Sequence, residues 1–212
     1  MLKTQTQSSL LSLGTVYSLF VLSGFSALIY QVVWQRSLFK LYGVNIESVT
    51  VVVTAFMMGL GLGSLVGGIL STKTGNRLIF LFGFIELLIG LYGLVSLQLF
   101  SLVGQFTAGV SPLMTFFLSF LLVLLPTALM GATLPILVAH VVKVSRNVGK
   151  SVGTLYFVNT LGSALAAMVS AIWLFGLLGQ HHMIEFASAI NISIGIAVLA
   201  RSVYIIKVGN IR

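Results

Sequence analysis

The chain has three acids, Glu47, Glu86 and Glu185, and Glu86 lies inside a long apolar run. It stands nine residues past Arg77. On a helix that carries its carboxyl about 13 Å into a hydrocarbon slab. An acid at such depth is costly and is by default a candidate for function. Asn159 and Asn191 stand at similar depth in two later apolar runs, and Thr133 is somewhat shallower in another. A layer of Glu86, Asn159, Asn191 and Thr133 suits two chemistries. The carboxyl can handle a proton or cation, or it can hydrogen-bond to Asn159 or Asn191 as a purely structural group. No Lys or Arg lies at that depth to pair with it.

A second cluster, Tyr30, Gln31, Trp34, Gln35 and Arg36, ends the first apolar run. On a helix Tyr30 and Trp34 share one face, and Gln31 and Gln35 the next. Trp, Tyr and Arg are the residues a membrane interface favours. Two clustered glutamines fit a polar pocket at the outer mouth of a bundle equally well. The third feature is "LPTALMGATLP", Leu125 to Pro135. Pro126 and Pro135 free backbone carbonyls and are expected to kink or break their helix. Thr127, Gly131 and Thr133 can re-satisfy or bend it, as a plain kink or as a cavity lining. His181 and His182 form a surface pair with no further ligands in sight, Glu185 reads as interfacial, and His140 as a helix-end residue. No catalytic residue, metal site or cofactor is expected. The absence of Cys excludes disulfides and thiolate chemistry.

The elements that hold these residues follow from composition. Of 212 residues 58% are hydrophobic and 7% charged. A soluble domain carries roughly 25% charged residues, so the lipid bilayer must be the solvent for most of this chain. A span needs about 20 mostly apolar residues. Six segments qualify, about 12–33, 48–70, 78–100, 113–140, 152–178 and 183–206. The connections are short, so residues 1–212 are expected to form a single all-α domain, a polytopic bundle of six transmembrane helices. The N-terminal run is too long for a signal peptide and lacks a cleavage site, so it reads as an uncleaved first span.

The net charge of +8 is spread singly over segment ends, which speaks for membrane topology and against nucleic acid. Lys3, Lys73, Arg77, Lys143, Arg146, Lys150, Lys207 and Arg212 collect on one face, and Arg36 and Lys40 on the other. Both termini are therefore expected in the cytoplasm. Gly59, Gly63 and Gly67 recur every four residues in the second run. Gly162, Ala166 and Ser170 repeat that spacing in the fifth. Such stripes let helices pack closely, or slide past each other in a transporter.

Five stretches in order, "SGFSALIYQVVWQR", "FMMGLGLGSLVGG", "ELLIGLYGL", "LPTALMGATLPIL" and "GTLYFVNTLGSALAA", resemble the membrane domain of the fused spermidine synthase-like proteins. The resemblance covers about residues 23–167. It implies a bacterial cytoplasmic membrane and a cytoplasmic partner domain related to polyamine aminopropyltransferases. Some members carry an acid at the position of Gln31. That enzyme domain needs a Gly-rich nucleotide loop and an acid cluster. This chain offers neither, so no catalytic residue is carried over. "GILSTKTGNR", Gly68 to Arg77, has a fainter likeness to the loop between spans two and three of major facilitator transporters, which are built of two six-helix halves. Gly68, Lys73, Gly75 and Arg77 match, and Thr72 replaces the acid that helps lock the gate.

The expectation is a non-catalytic membrane subunit or scaffold. It would dock a soluble aminopropyltransferase-like or methyltransferase-like chain, a larger membrane complex or a second copy of itself. The alternative is a small dimeric transporter of a polyamine or related cation, for which three acids are few.

Overall fold

The computed structural model describes residues 11–42, 46–107 and 112–209. The apolar runs become α1 (Leu13–Tyr42), α2 (Ile46–Lys73), α3 (Leu78–Thr107), α4 (Pro112–Ser145), α5 (Val148–Val169) and α6 (Phe175–Gly209). All six spans are long and apolar enough to cross a membrane, and no strand occurs among the described residues. The chain is thus a six-helix integral membrane protein. A 3₁₀ turn, Gly75–Arg77, links α2 to α3. Asn147 starts α5 by accepting a hydrogen bond from the Lys150 amide at 2.9 Å. A π turn, Ser170–Leu174, follows α5. The helix bounds of α6 hide a kink at Gly179, whose φ of 67° and ψ of 175° suit glycine alone.

The helices overrun the segments read from hydropathy. α1 continues to Tyr42 rather than stopping near Val33, and α3 continues to Thr107 rather than Phe100. Hydropathy marks the hydrocarbon-filling part of a helix. Helices of 30 residues project beyond a core that about 20 residues span. Of the cations assigned to one face, Lys3 and Arg212 lie outside the described residues, as does the side chain of Lys207.

Three pairs dominate the packing: α2 on α4, α3 on α6 and α1 on α5. Lesser pairs are α3 on α4, α1 on α6, α4 on α5 and α1 on α2. Exchanging α1 with α4, α2 with α5 and α3 with α6 returns these seven pairs, while the smaller α1–α3 contact has no α4–α6 counterpart of its size among the described residues. The bundle therefore has the pattern of two three-helix halves, and an odd number of spans per half gives the halves opposite senses across the bilayer.

Glycines sit at all three main crossings. A Cβ on Gly63 would fall on the Ala128 carbonyl, one on Gly59 on the Thr127 side chain, and one on Gly67 within 2.7 Å of Ala132 Cα. From the other side Gly131 faces the Leu60 backbone. In the equivalent α1–α5 crossing, Gly162 meets the Val21 carbonyl and Gly24 the backbone of Asn159. Gly83 and Gly195 do the same between α3 and α6. Close backbone approach maximises dispersion where lipid leaves no hydrophobic force between helices. The stripes are helix contacts, and Ala166 and Ser170 are buried beside them. Met57, Leu65, Ile69, Phe157 and Leu161 point outward, as lipid-facing side chains must.

Neither proline breaks α4, which runs unbroken through Pro126 and Pro135. A proline at 126 deprives the Leu122 carbonyl, four residues earlier, of its helical donor. Tyr92 of α3 supplies the replacement, its hydroxyl donating to Leu122 O at 2.6 Å. Thr127 Oγ1 lies 2.9 Å from Val123 O, and Thr133 Oγ1 donates to Met130 O at 2.7 Å. Tyr92→Phe should therefore strand one carbonyl and lower stability by about 1–2 kcal/mol. The melting midpoint of the purified protein in one detergent measures it, and an unchanged midpoint would show that α4 holds its course past Pro126 unaided.

Candidate functional site

The polar side chains in the interior form a ladder between α1, α3 and α6. Its deepest rung is Glu86, which is fully buried. Ser23 of α1 donates to Glu86 Oε1 at 2.6 Å, and the Asn191 amide of α6 donates to Oε2 at 2.5 Å. The next rung is Tyr30, whose hydroxyl donates to Ser188 Oγ of α6 at 3.2 Å. The third is Trp34, whose indole N–H donates to Ser96 Oγ of α3 at 3.0 Å. Ser96 passes its own hydrogen to Gly93 O at 2.7 Å. Gly93 leaves room for the middle rung, since a Cβ there would collide with Tyr30 and Ser188.

The spacing explains why one helix reaches all three rungs. Ser23, Tyr30 and Trp34 follow one another at seven and four residues, which is one face of a helix. The Tyr30 and Trp34 rings stack with centroids 5.2 Å apart, and the Tyr92 and Phe100 rings close on Trp34 at 6.1 and 6.4 Å. Hydrogen bonds between spans contribute roughly 1 kcal/mol each. Three rungs on three helices fix their register and rotation together.

Several residues singled out in sequence take other places. Tyr30 and Trp34 are not interface anchors, because both are buried where α1 continues past them. Gln31 and Gln35 are half-buried and Arg36 is exposed, so the five differ in burial. Asn159 does not reach Glu86. It is half-buried in the α1–α5 crossing, where Ser163 Oγ lies 2.9 Å from Gly24 O and 3.1 Å from Asn159 O. Thr133 is buried but turned to its own helix. The layer reduces to Glu86 and Asn191, joined by Ser23. His181 and His182 are exposed, and His182 Nδ1 lies 2.8 Å from Glu185 Oε2. His140 is half-buried, with Nε2 unpartnered. Among the described residues no three of His, Cys, Asp and Glu come together to hold a metal.

Ser23, Ser96, Ser188 and Tyr92 were not foreseen. Single serines are common in spans, and the one signal was the spacing of Ser23, Tyr30 and Trp34. The Asn191 Oδ1 atom, buried beside Glu86, has no partner among the described residues. The dyad thus has a spare acceptor at Asn191 Oδ1 and a second Asn191 amide hydrogen beyond the bond to Glu86, a point on which substitution at Glu86 turns.

The helix ends add a second feature. Lys143 Nζ donates to Gly75 O at 2.5 Å, which ties the last turn of α4 to the α2–α3 turn. Lys73, Arg77, Lys143, Arg146 and Lys150 are all exposed on this face. No family model, curated protein or solved structure matches the chain. The likeness to spermidine synthase-like membrane domains therefore stands on the five stretches named above.

Proposed function

We propose that the protein is a non-catalytic scaffold of the bacterial cytoplasmic membrane that docks a soluble enzyme chain on its basic face. The observation that carries this reading is the closed polar ladder. Both Glu86 oxygens accept from neighbouring helices, so the acid serves to hold α1, α3 and α6 together. The five exposed cations around the Lys143–Gly75 contact favour a cytoplasmic face by the positive-inside rule. They also attract an acidic surface, such as that of an aminopropyltransferase-like or methyltransferase-like partner. Both termini then lie in the cytoplasm. Transport of a polyamine has Glu86 in its favour and little else, since a polycation needs several acids.

Two measurements test this. Reporter fusions at Asn76, Asn147 and Arg212 should read cytoplasm, and fusions at Asn45 and Gly109 the outside. A swapped pattern at two or more sites overturns the orientation. Photocrosslinkers at Asn76 and Asn147 should give adducts with one soluble chain of nucleotide-fold type, lost when Arg146 and Lys150 are changed to Glu. Adducts that survive the charge reversal, or form equally at Gln180, count against docking on the basic face.

A further inference from the structure

A cavity of about 800 Å³ opens at the other end of the bundle, among the last turns of α1 and α3, the first turn of α4 and the segment after Gly179. Among the described residues Lys40, which is exposed, is the one charged residue that lines it. Ser101, Gln105 and Gln180 stand around it. Gln105 Nε2 donates to Ser101 Oγ at 3.4 Å, which leaves the Ser101 hydroxyl hydrogen free to point at a ligand. No carboxylate among the described side chains lines the cavity: Glu86 is sealed on its ladder and Glu185 is held by His182, while the Glu47 side chain lies outside the described ones. Leu41, Leu97 and Phe100 form the apolar part of the wall.

We infer that this cavity binds a phosphate oxyanion, carried by the headgroup of an acidic lipid. An ammonium beside hydroxyl and amide donors favours an anion and repels a polyamine. The site lies where the spans end, at the depth of headgroups. Basic pockets between membrane helices recognise acidic headgroups in this way. A bare phosphate ion would fill a small part of 800 Å³, whereas a headgroup with its glycerol would use the polar rim and the apolar wall together.

The test uses the full chain in nanodiscs of phosphatidylcholine with one-fifth phosphatidylglycerol. Native mass spectrometry then counts the lipids retained. The wild type should hold phosphatidylglycerol over phosphatidylcholine, and Lys40→Gln should weaken that preference about five-fold, the effect of one cation. Lys40→Arg should keep it. Lys150→Gln, at the far end of the molecule, should not reproduce the loss. A second arm measures the rise in melting midpoint with inorganic phosphate against chloride. A rise that depends on Lys40, without lipid retention, assigns the same oxyanion site to a soluble phosphate-bearing solute. Equal lipid retention and equal phosphate response in wild type and Lys40→Gln overturn the site. Matching elution volumes of the variants exclude misfolding as the cause.

Discussion

Gly63→Leu is expected to separate α2 from α4 and to remove most folded protein from the membrane. A Cβ at Gly63 would overlap the Ala128 carbonyl and lie 2.9 Å from Ala128 Cα. These are backbone atoms of a helix, so no side chain can swing away. Gly59 and Gly67 hold the same crossing one turn to either side, so the misfit spreads along the whole pair. Overpacking a close contact costs typically 1–3 kcal/mol, and a leucine against backbone belongs at the top of that range or above. Gly61→Leu is the control. A Cβ there meets nothing within 4 Å, on the same helix two residues away. It should fold as well as wild type, or gain up to about 1 kcal/mol from better helix propensity. Equal yields of the two variants would show that the stripe is not a packing contact.

Glu86→Leu should be nearly as damaging, for a different reason. Leucine fills much of the same space but accepts nothing. The Ser23 hydroxyl and the Asn191 amide would then be left as unsatisfied donors in a dry core, at about 1–3 kcal/mol each. Both lie on other helices, so α1 and α6 lose their tie to α3 together. The upper rungs at Tyr30 and Trp34 remain, which should leave a protein that inserts but melts at a lower temperature. A midpoint within error of the wild type would mean that water reaches the dyad.

How much of this was legible beforehand depends on the coordinate in question. Hydropathy gives depth, and depth located the six spans and the level of Glu86. It gives no azimuth, so Asn159 and Asn191 looked equivalent partners. Only the packing of α3 on α6 and of α5 on α1 separates them. Tyr30 and Trp34 have the composition of an interface belt. Their burial depends on α3 and α6 being as long as α1, which no property of residues 30–36 reveals. Pro126 was visible as a helix-breaker, yet its effect is offset by Tyr92, thirty-four residues earlier on another helix. The glycine stripes were legible because a missing side chain in a span has few uses other than close approach. The Lys40 cavity was not, because it is assembled from the ends of separate helices and from the segment after a kink at Gly179.

The most direct test of a structural Glu86 is Glu86→Gln, read as folded protein in the membrane and as the phenotype of cells that depend on the gene. The carboxamide keeps an oxygen for Ser23. Its amide can donate to Asn191 Oδ1, the acceptor that now lacks a partner, once the Asn191 amide turns over. One unpartnered Asn191 group then replaces another and the tie between the three helices is kept, so folded amount and phenotype should both stay close to wild type. Wild-type amounts of folded Glu86→Gln protein with the phenotype abolished would contradict this, and would make Glu86 a carrier of protons or cations.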